Sequence, residues 1–302
     1  MTVSLSTMWW EDRQDPLISL ARSVRALGFE QVELNYSVRE ESFPALREAL
    51  AQTGLTVSSV HGPFPRPPGE DVLLQADLAA DDPAARRRAE ALIARSLEET
   101  AGWGSPVLVL HSGNIELLRP QEARLRRLYR AGQTNGDEFS AFREELRQSR
   151  SREAPGYLER VQQALARLAP LARSLGVTLA LENRAHFHDI PSFDEIGPLM
   201  EEFGPAVGYW HDLGHAFRLE VLGFWPQGAW LERYGDHLVG MHLHDSIGLE
   251  DHQPPGEGDI PFQRLAPLLP ARVCRVLEVR SCHDEEAVAA GLAHLQATGV
   301  LP

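Results

Sequence analysis

The sequence predicts a single α/β domain, a (β/α)8 TIM barrel spanning 1–302, and three observations predict it. Short β-branched runs alternate with longer amphipathic, Ala/Leu/Arg-rich stretches. Several of those stretches stop at a glycine (Gly28, Gly54, Gly104, Gly176 and Gly204) just before the next run. A length of 302 residues suits one large barrel better than two ordinary domains.

The eight runs are Val3–Met8, Gln31–Asn35, Thr56–His61, Pro106–His111, Val177–Glu182, Ala206–His211, Leu238–His244 and Val273–Glu278. Helical stretches between and after them include Pro16–Leu27, Phe43–Gln52, Pro83–Gly102, Pro155–Gly176, Ser192–Phe203 and Glu285–Gln296. Strand–helix alternation implies a parallel sheet, and eight repeats imply closure. Glycine takes the left-handed conformation that ends a helix, which accounts for the punctuation. In Val177–Glu182 the positions in phase with Glu182 are the small Thr178 and Ala180. Val177, Leu179 and Leu181 take the opposite phase, suited to packing against helices.

One connection is longer than a barrel needs. From Ser112 to Pro155 the chain is rich in Arg and Glu, and a helical insertion over 112–155 is expected after strand four. A mixed-charge run of this kind reads first as a solvated helical face. A lid whose arginines meet an anionic substrate is the functional alternative.

Composition excludes several functions. A hydrophobic fraction of 43% with 24% charged residues is that of a soluble globular protein. No apolar run reaches roughly 18 residues, so no membrane span is expected. Met1–Met8 lacks a basic leader and a cleavage site, so no signal peptide is expected. A net charge of −14 argues against a nucleic-acid partner, which requires a cationic face. Cys274 and Cys282 cannot build a disulfide framework, and a cytoplasmic location is the default. All 29 basic residues are arginine. Without lysine there is no amine for a Schiff base, which rules out Schiff-base aldolases and pyridoxal-phosphate enzymes. NAD is not expected either.

The chemistry lies at the strand ends. Strand three ends at His61, strand four at His111 and strand five at Glu182. Strand six runs into His211 and Asp212, strand seven ends at His242 and His244, and strand eight ends at Glu278. Barrel active sites form at the C-terminal face from such residues. One strand-end histidine is ordinarily structural. Six consecutive strands delivering His, Asp or Glu to one mouth create a repulsion and desolvation cost that a divalent cation resolves. Nitrogen and oxygen donors without cysteine suit Zn²⁺, Mn²⁺, Co²⁺ or Fe²⁺. His242 and His244 share a strand face, and the deeper His242 is the expected ligand. His244 and Asp245 then support the ligands or touch substrate. Asp212 and His215 lie three apart across a turn, close enough to serve one ion or a neighbouring pair. The Pro/Gly-rich segment from Glu250 to Asp259 carries His252 to the same face. Glu33 ends strand two as either a salt bridge closing the mouth or a substrate contact.

Together His61-Gly-Pro, His111-Ser-Gly, Leu181-Glu182-Asn183, Asp212-x-x-His215, His242-Leu-x-Asp245, Pro255-Gly256-Glu257-Gly258 and Leu277-Glu278 resemble the xylose-isomerase-like barrel superfamily. Its members include sugar-phosphate isomerases, ketose 3-epimerases, hydroxypyruvate isomerase, inosose dehydratase and zinc-dependent AP endonucleases. The epimerase branch implies one ion, Mn²⁺ or Zn²⁺ foremost, held by Glu182, Asp212, His242 and Glu278. It implies an enediolate, with Glu182 and Glu278 as general base and acid. His215, His244, Asp245, Glu33 and Asn183 are then expected around the substrate. The endonuclease branch implies a larger zinc cluster that adds His61, His111, His215 and His252, with Glu250 where that family has an aspartate. Phe64 replaces that family's tyrosine, and no basic DNA-facing loop is evident. True xylose isomerases match less well, since their site uses a lysine. The resemblance thus ranks a metal-dependent sugar, sugar-acid or sugar-phosphate isomerase or epimerase first. A zinc phosphodiesterase of the AP endonuclease type comes second and a polyol dehydratase third. The expected partner is a small carbohydrate, and self-association into a homo-oligomer stays open.

Overall fold

Eight parallel strands pair into one closed barrel in a computed structural model that describes residues 3–68, 75–134, 136–270 and 272–301. The expected domain span of 1–302 and the leader reading at Met1–Met8 therefore include positions outside the described residues. In chain order the strands are β1 (Val3–Ser6), β2 (Gln31–Leu34), β3 (Thr56–His61), β4 (Val107–Leu110), β5 (Thr178–Glu182), β6 (Val207–Asp212) and β7 (Leu238–Leu243). A separate antiparallel hairpin, β8 (Asp245–Ile247) and β9 (Glu250–Gln253), follows, and β10 (Cys274–Leu277) closes the barrel between β7 and β1. All eight expected runs are barrel strands: β3 keeps the expected bounds, β6 is shifted to end at Asp212, and the other six are shorter. β1 stops at Ser6 because its hydroxyl accepts from Met8 N at 3.3 Å and starts a 3-10 turn over Thr7–Trp10.

The helices are α1 (Leu17–Ala26), α2 (Phe43–Thr53), α3 (Pro83–Gly102), α4 (Arg119–Arg130), α5 (Asp137–Leu175), α6 (Phe193–Phe203), α7 (Leu213–Val221), α8 (Gln227–Tyr234), α9 (Phe262–Leu265) and α10 (Glu285–Ala297). Gly54 and Gly176 end α2 and α5 in the left-handed region, as expected. Gly204 does not: its φ is −56°, and Pro205 follows it.

The insertion after β4 is helical, but its boundary differs from expectation. α5 is one helix of 39 residues that runs straight through Pro155, where a helix start was expected. Phe142, Leu146, Arg150, Ala154, Tyr157, Val161 and Leu165 are buried at helical spacing across that point. Pro155 itself lies on the exposed side beside exposed Ser151, the residue whose carbonyl loses its helical donor. That carbonyl is on the solvent side, where a lost bond is least costly, and the buried stripe on the opposite side keeps the helix continuous.

Side-chain phase sorts the core into two parts. Val107, Val109, Ala180, Trp210 and Val276 form a cluster inside the barrel, with Val239 and Cys274 packed on it. Leu179 and Leu181 belong to the larger core between sheet and helices. The small inward residues of β5 leave room for the Trp210 indole, which lies 5.0 Å from the His242 ring. Among the described residues no helix is long and apolar enough to cross a membrane.

The Trp210 ring also explains Gly240 on β7, because a Cβ there would run into the indole. Gly240→Ala is expected to lower stability by about 1–3 kcal/mol through overpacking. Urea unfolding with an unchanged m value checks this; an unchanged midpoint would show that the indole has room to move.

Candidate metal centre

Each barrel strand from β3 to β7, together with β10, brings one titratable group to the C-terminal mouth. His61 ends β3, His111 follows β4, Glu182 ends β5, Asp212 ends β6, His242 lies near the end of β7 and Glu278 follows β10. Parallel strands in register make these ends neighbours: Asp212 pairs with His242 across β6 and β7.

Three carboxylates converge on one imidazole nitrogen. His242 Nδ1 lies 3.0 Å from Glu182 Oε1, 3.3 Å from Glu278 Oε2 and 3.5 Å from Asp212 Oδ2. All four side chains are no more than 2% exposed, so water screens little of the repulsion between the acids. The opposite nitrogen, Nε2, is 3.1 Å from Glu33 Oε1. Glu33 is itself fixed by the hydroxyls of Ser6 at 3.2 Å and Ser59 at 2.7 Å. Burial disfavours charge on His242, but Glu278 and Glu33 outweigh it and hold the imidazole well above its ordinary value. Burial likewise disfavours ionised Glu278, yet His242 and His252 hold its carboxyl below the ordinary carboxylate range. Oε1 of Glu278 has no hydrogen-bond partner although it is buried.

The remaining expected ligands divide around this centre. His111 Nε2 is 2.6 Å from Glu182 Oε2, and His61 Nε2 is 3.7 Å from the same oxygen. His252 Nε2 reaches Glu278 Oε2 at 3.4 Å, and its other nitrogen is 3.0 Å from Asp251 Oδ1. His215 sits on the first turn of α7, where Asp212 caps the helix by accepting from His215 N at 2.7 Å. Its ring Nδ1 is 3.1 Å from the Asn183 carbonyl. Potential ion-binding triads among the described residues include His61–His111–Glu182, His61–His242–Glu278, His244–His252–Glu278 and Glu182–Asp212–His242. His215 joins none of these.

The four residues expected around substrate besides His215 hydrogen-bond the expected ligands and the loops beside them. Glu33, Asn183, His244 and Asp245 are all buried. Glu33 holds His242. His244 Nε2 lies 3.0 Å from both oxygens of Asp212. Asn183 accepts from Asp212 N at 2.8 Å and from the Tyr209 hydroxyl at 2.9 Å. Asp245 accepts from Gly256 N at 2.9 Å and Ile260 N at 3.0 Å, tying down the Pro/Gly-rich loop. Their polar atoms are engaged by His242, Asp212, Tyr209 and the Pro/Gly-rich loop.

Residues not singled out in the sequence also reach the mouth. Arg184 Nη1 donates to Glu182 Oε2 at 2.9 Å, and Tyr36 packs edge-on against His61 with ring centroids 5.2 Å apart. Arg184 was legible as the residue two past Glu182, which a strand-like chain returns to the same side. Beside them a polar cavity of about 290 Å³ is lined by Asp77, His111, Asn114, Arg119, Arg184 and His188, among others. The insertion reaches it through α4. Buried Glu122 lies 2.6 Å from His188 Nδ1 and 3.0 Å from His186 Nδ1, clasping the loop after β5.

The xylose isomerase-like TIM barrel profile matches residues 21–298. The chain belongs to that family. This xylose isomerase-like barrel is similar in structure to 3-keto-D-glucoside 4-epimerase of E. coli, with a TM-score of 0.70, 18% identity and coverage of 98% of this chain and 99% of that one. It is similar to D-psicose 3-epimerase of Clostridium cellulolyticum H10, with a TM-score of 0.68, 16% identity and 99% of each chain covered. An L-ribulose 3-epimerase superposes with a TM-score of 0.70 at 17% identity, covering 99% of this chain and 95% of the other. At these identities the likeness establishes the fold. No curated protein matches the chain by sequence.

The Glu122 clasp has a defined pH window. Burial alone would raise the Glu122 carboxyl, but hydrogen bonds from His186 and His188 hold it well below 4.5. Burial opposes charge on His188, yet its hydrogen bond to Glu122 raises it above 6.5. The Glu122 contribution is present above pH 4.5 and fades as pH falls through its lowered value. The His188 contribution is full below pH 6.5 and fades as pH rises through its raised value. Hydrogen-exchange protection of the loop after β5, relative to the intrinsic rate at each pH, is therefore expected to be greatest between those limits and to fall in alkali. Glu122→Ala removes one partner of a buried pair and is expected to cost about 3–5 kcal/mol locally. Unchanged exchange in that variant would remove the clasp.

Proposed function

We propose that this barrel is a metal-dependent isomerase or epimerase acting on a small carbohydrate. The observation that carries the reading is the convergence of Glu182, Asp212 and Glu278 on His242 Nδ1, with Glu278 Oε1 unpartnered in the interior. Three buried carboxylates and one imidazole suit a hard-to-borderline divalent ion such as Mn²⁺ or Zn²⁺, and Glu182, Asp212, His242 and Glu278 would hold it. When bound, such an ion supplies Lewis-acid polarisation of adjacent carbonyl and hydroxyl oxygens. The chain supplies the rest. Glu33 keeps the His242 ring oriented from behind, and His244 does the same for Asp212. Glu278 Oε1 has an unengaged lone pair with which to take a proton from the carbon beside a carbonyl. Glu182, held on Oε2 by Arg184, is the partner carboxylate for returning it. The polar cavity next to His111 and Arg184 offers both donors and acceptors, as a polyhydroxylated substrate requires. α4 and the loop it clasps wall that cavity, which gives the insertion its role at the mouth.

The phosphodiesterase reading has less support. Glu250, where the endonuclease branch has an aspartate ligand, points away from the centre and pairs with Arg130 at 2.8 Å, both largely exposed.

Solvent deuterium is expected to enter a ketose during turnover, and only with divalent metal present. Glu278→Gln should slow that exchange by about 10²-fold or more while the far-UV spectrum stays native. A broad ketose panel with no metal-dependent exchange would defeat the proposal. Metal affinity should also fall as pH falls, because a proton competes for His242 Nδ1; pH-independent metal titration would argue against His242 as a ligand.

A further inference from the structure

Glu182 divides its two carboxylate oxygens between different neighbours. Oε1 faces His242 at 3.0 Å and His215 at 3.6 Å. Oε2 faces His111 at 2.6 Å, Arg184 at 2.9 Å and His61 at 3.7 Å. The second side is a triad of its own, since His61, His111 and Glu182 each bring a ligand atom within 4.8 Å of the others. A triad of two imidazoles and a carboxylate, all buried or nearly so, is a chemically competent ion site.

The guanidinium of Arg184 lies on that triad. Its Nη1 is 2.5 Å from His111 Nε2 and 2.9 Å from Glu182 Oε2. A guanidinium carries only donors, so His111 Nε2 must present its lone pair to Arg184. The ring proton then resides on Nδ1, which is buried without a partner. Both atoms that would bind an ion, His111 Nε2 and Glu182 Oε2, are thus turned towards Arg184 as they would be towards a metal. Arginine does not lose its proton in proteins, so this positive charge is permanent.

We infer that Arg184 is a resident cation that occupies a second ion position, between His111 and Glu182, and limits the centre to a single divalent ion. The inference rests on the reading of the Glu182–Asp212–His242–Glu278 group as the primary ion site. A second divalent ion would have to displace the guanidinium and then share the mouth with it, at close range in a poorly screened interior. The chain thereby keeps the donor set of a two-ion centre while using one position for a fixed charge next to the polar cavity.

Metal stoichiometry tests this without reference to substrate. The full chain is stripped with chelator, reloaded with Mn²⁺ or Zn²⁺, dialysed and analysed by mass spectrometry. The wild type is expected to retain about one ion per chain and Arg184→Met about two. His111→Ala in the Arg184→Met background should return the count to about one, whereas His111→Ala alone should leave about one. Mn²⁺-loaded Arg184→Met should show an exchange-coupled pair by electron paramagnetic resonance, and the wild type an isolated ion. Arg184→Gln serves the same purpose should the Met variant fail to fold. Two or more ions in the wild type, or one ion in both folded Arg184 variants, overturns the inference. Zero ions in the wild type overturns it together with the primary centre. One wild-type ion rising to two in the variant, with no ketose exchange, upholds it and removes the epimerase reading alone.

Discussion

The His242 imidazole, caught between Glu33 on one nitrogen and three carboxylates on the other, is the contact on which the rest of the mouth depends. Four buried acids around one ring cannot be ionised without positive charge among them. In the protein alone that charge is a proton on His242, favoured by Glu278 and Glu33 against the cost of burial. In the proposed function a metal ion would take the place of that proton at Nδ1, and the surrounding structure holds the ring in one orientation.

The holding is done from behind and from the side. Ser6 and Ser59 on neighbouring strands fix Glu33, and Glu33 fixes His242. His244 and Asn183 fix Asp212, which in turn caps α7. The His252 amide donates to His244 Nδ1 at 3.0 Å, so the hairpin is tied to the same network. Close packing makes the arrangement demanding. A Cβ on Gly214 would meet the His244 ring, and one on Gly258 would meet the Asp245 carboxylate. Glycine at both positions is required by that approach, which explains part of the Pro/Gly-rich character of the loop.

Much of the fold was legible because its signals are local. A period of two sets which strand residues face inward, so Ala180 inside and Leu181 outside could be read from β5 alone. The same phase put Glu182, Asp212 and His242 at strand ends on the inner side, where they meet. The start of α5 was not legible, since a mid-helix proline signals a break locally and only the burial of Leu146 through Leu165 overrides it. Nor could the sequence separate residues that face the mouth from those behind it. Glu33, Asn183, His244 and Asp245 have the residue types of a binding site, and their hydrogen-bond partners lie on other elements.

The sequence by itself determined the barrel, the rim at which its chemistry collects and the absence of any lysine nucleophile, because strand phase and residue type are properties of short segments. Tertiary structure alone decided how the acids and imidazoles are apportioned. Glu182 meets His111 on one oxygen and His242 on the other, Arg184 settles on the first pair, and Glu122 reaches from α4 to clasp the loop after β5. All of those contacts except Arg184–Glu182 join residues 60 or more positions apart, and their distances depend on strand register and helix docking, which no local pattern encodes.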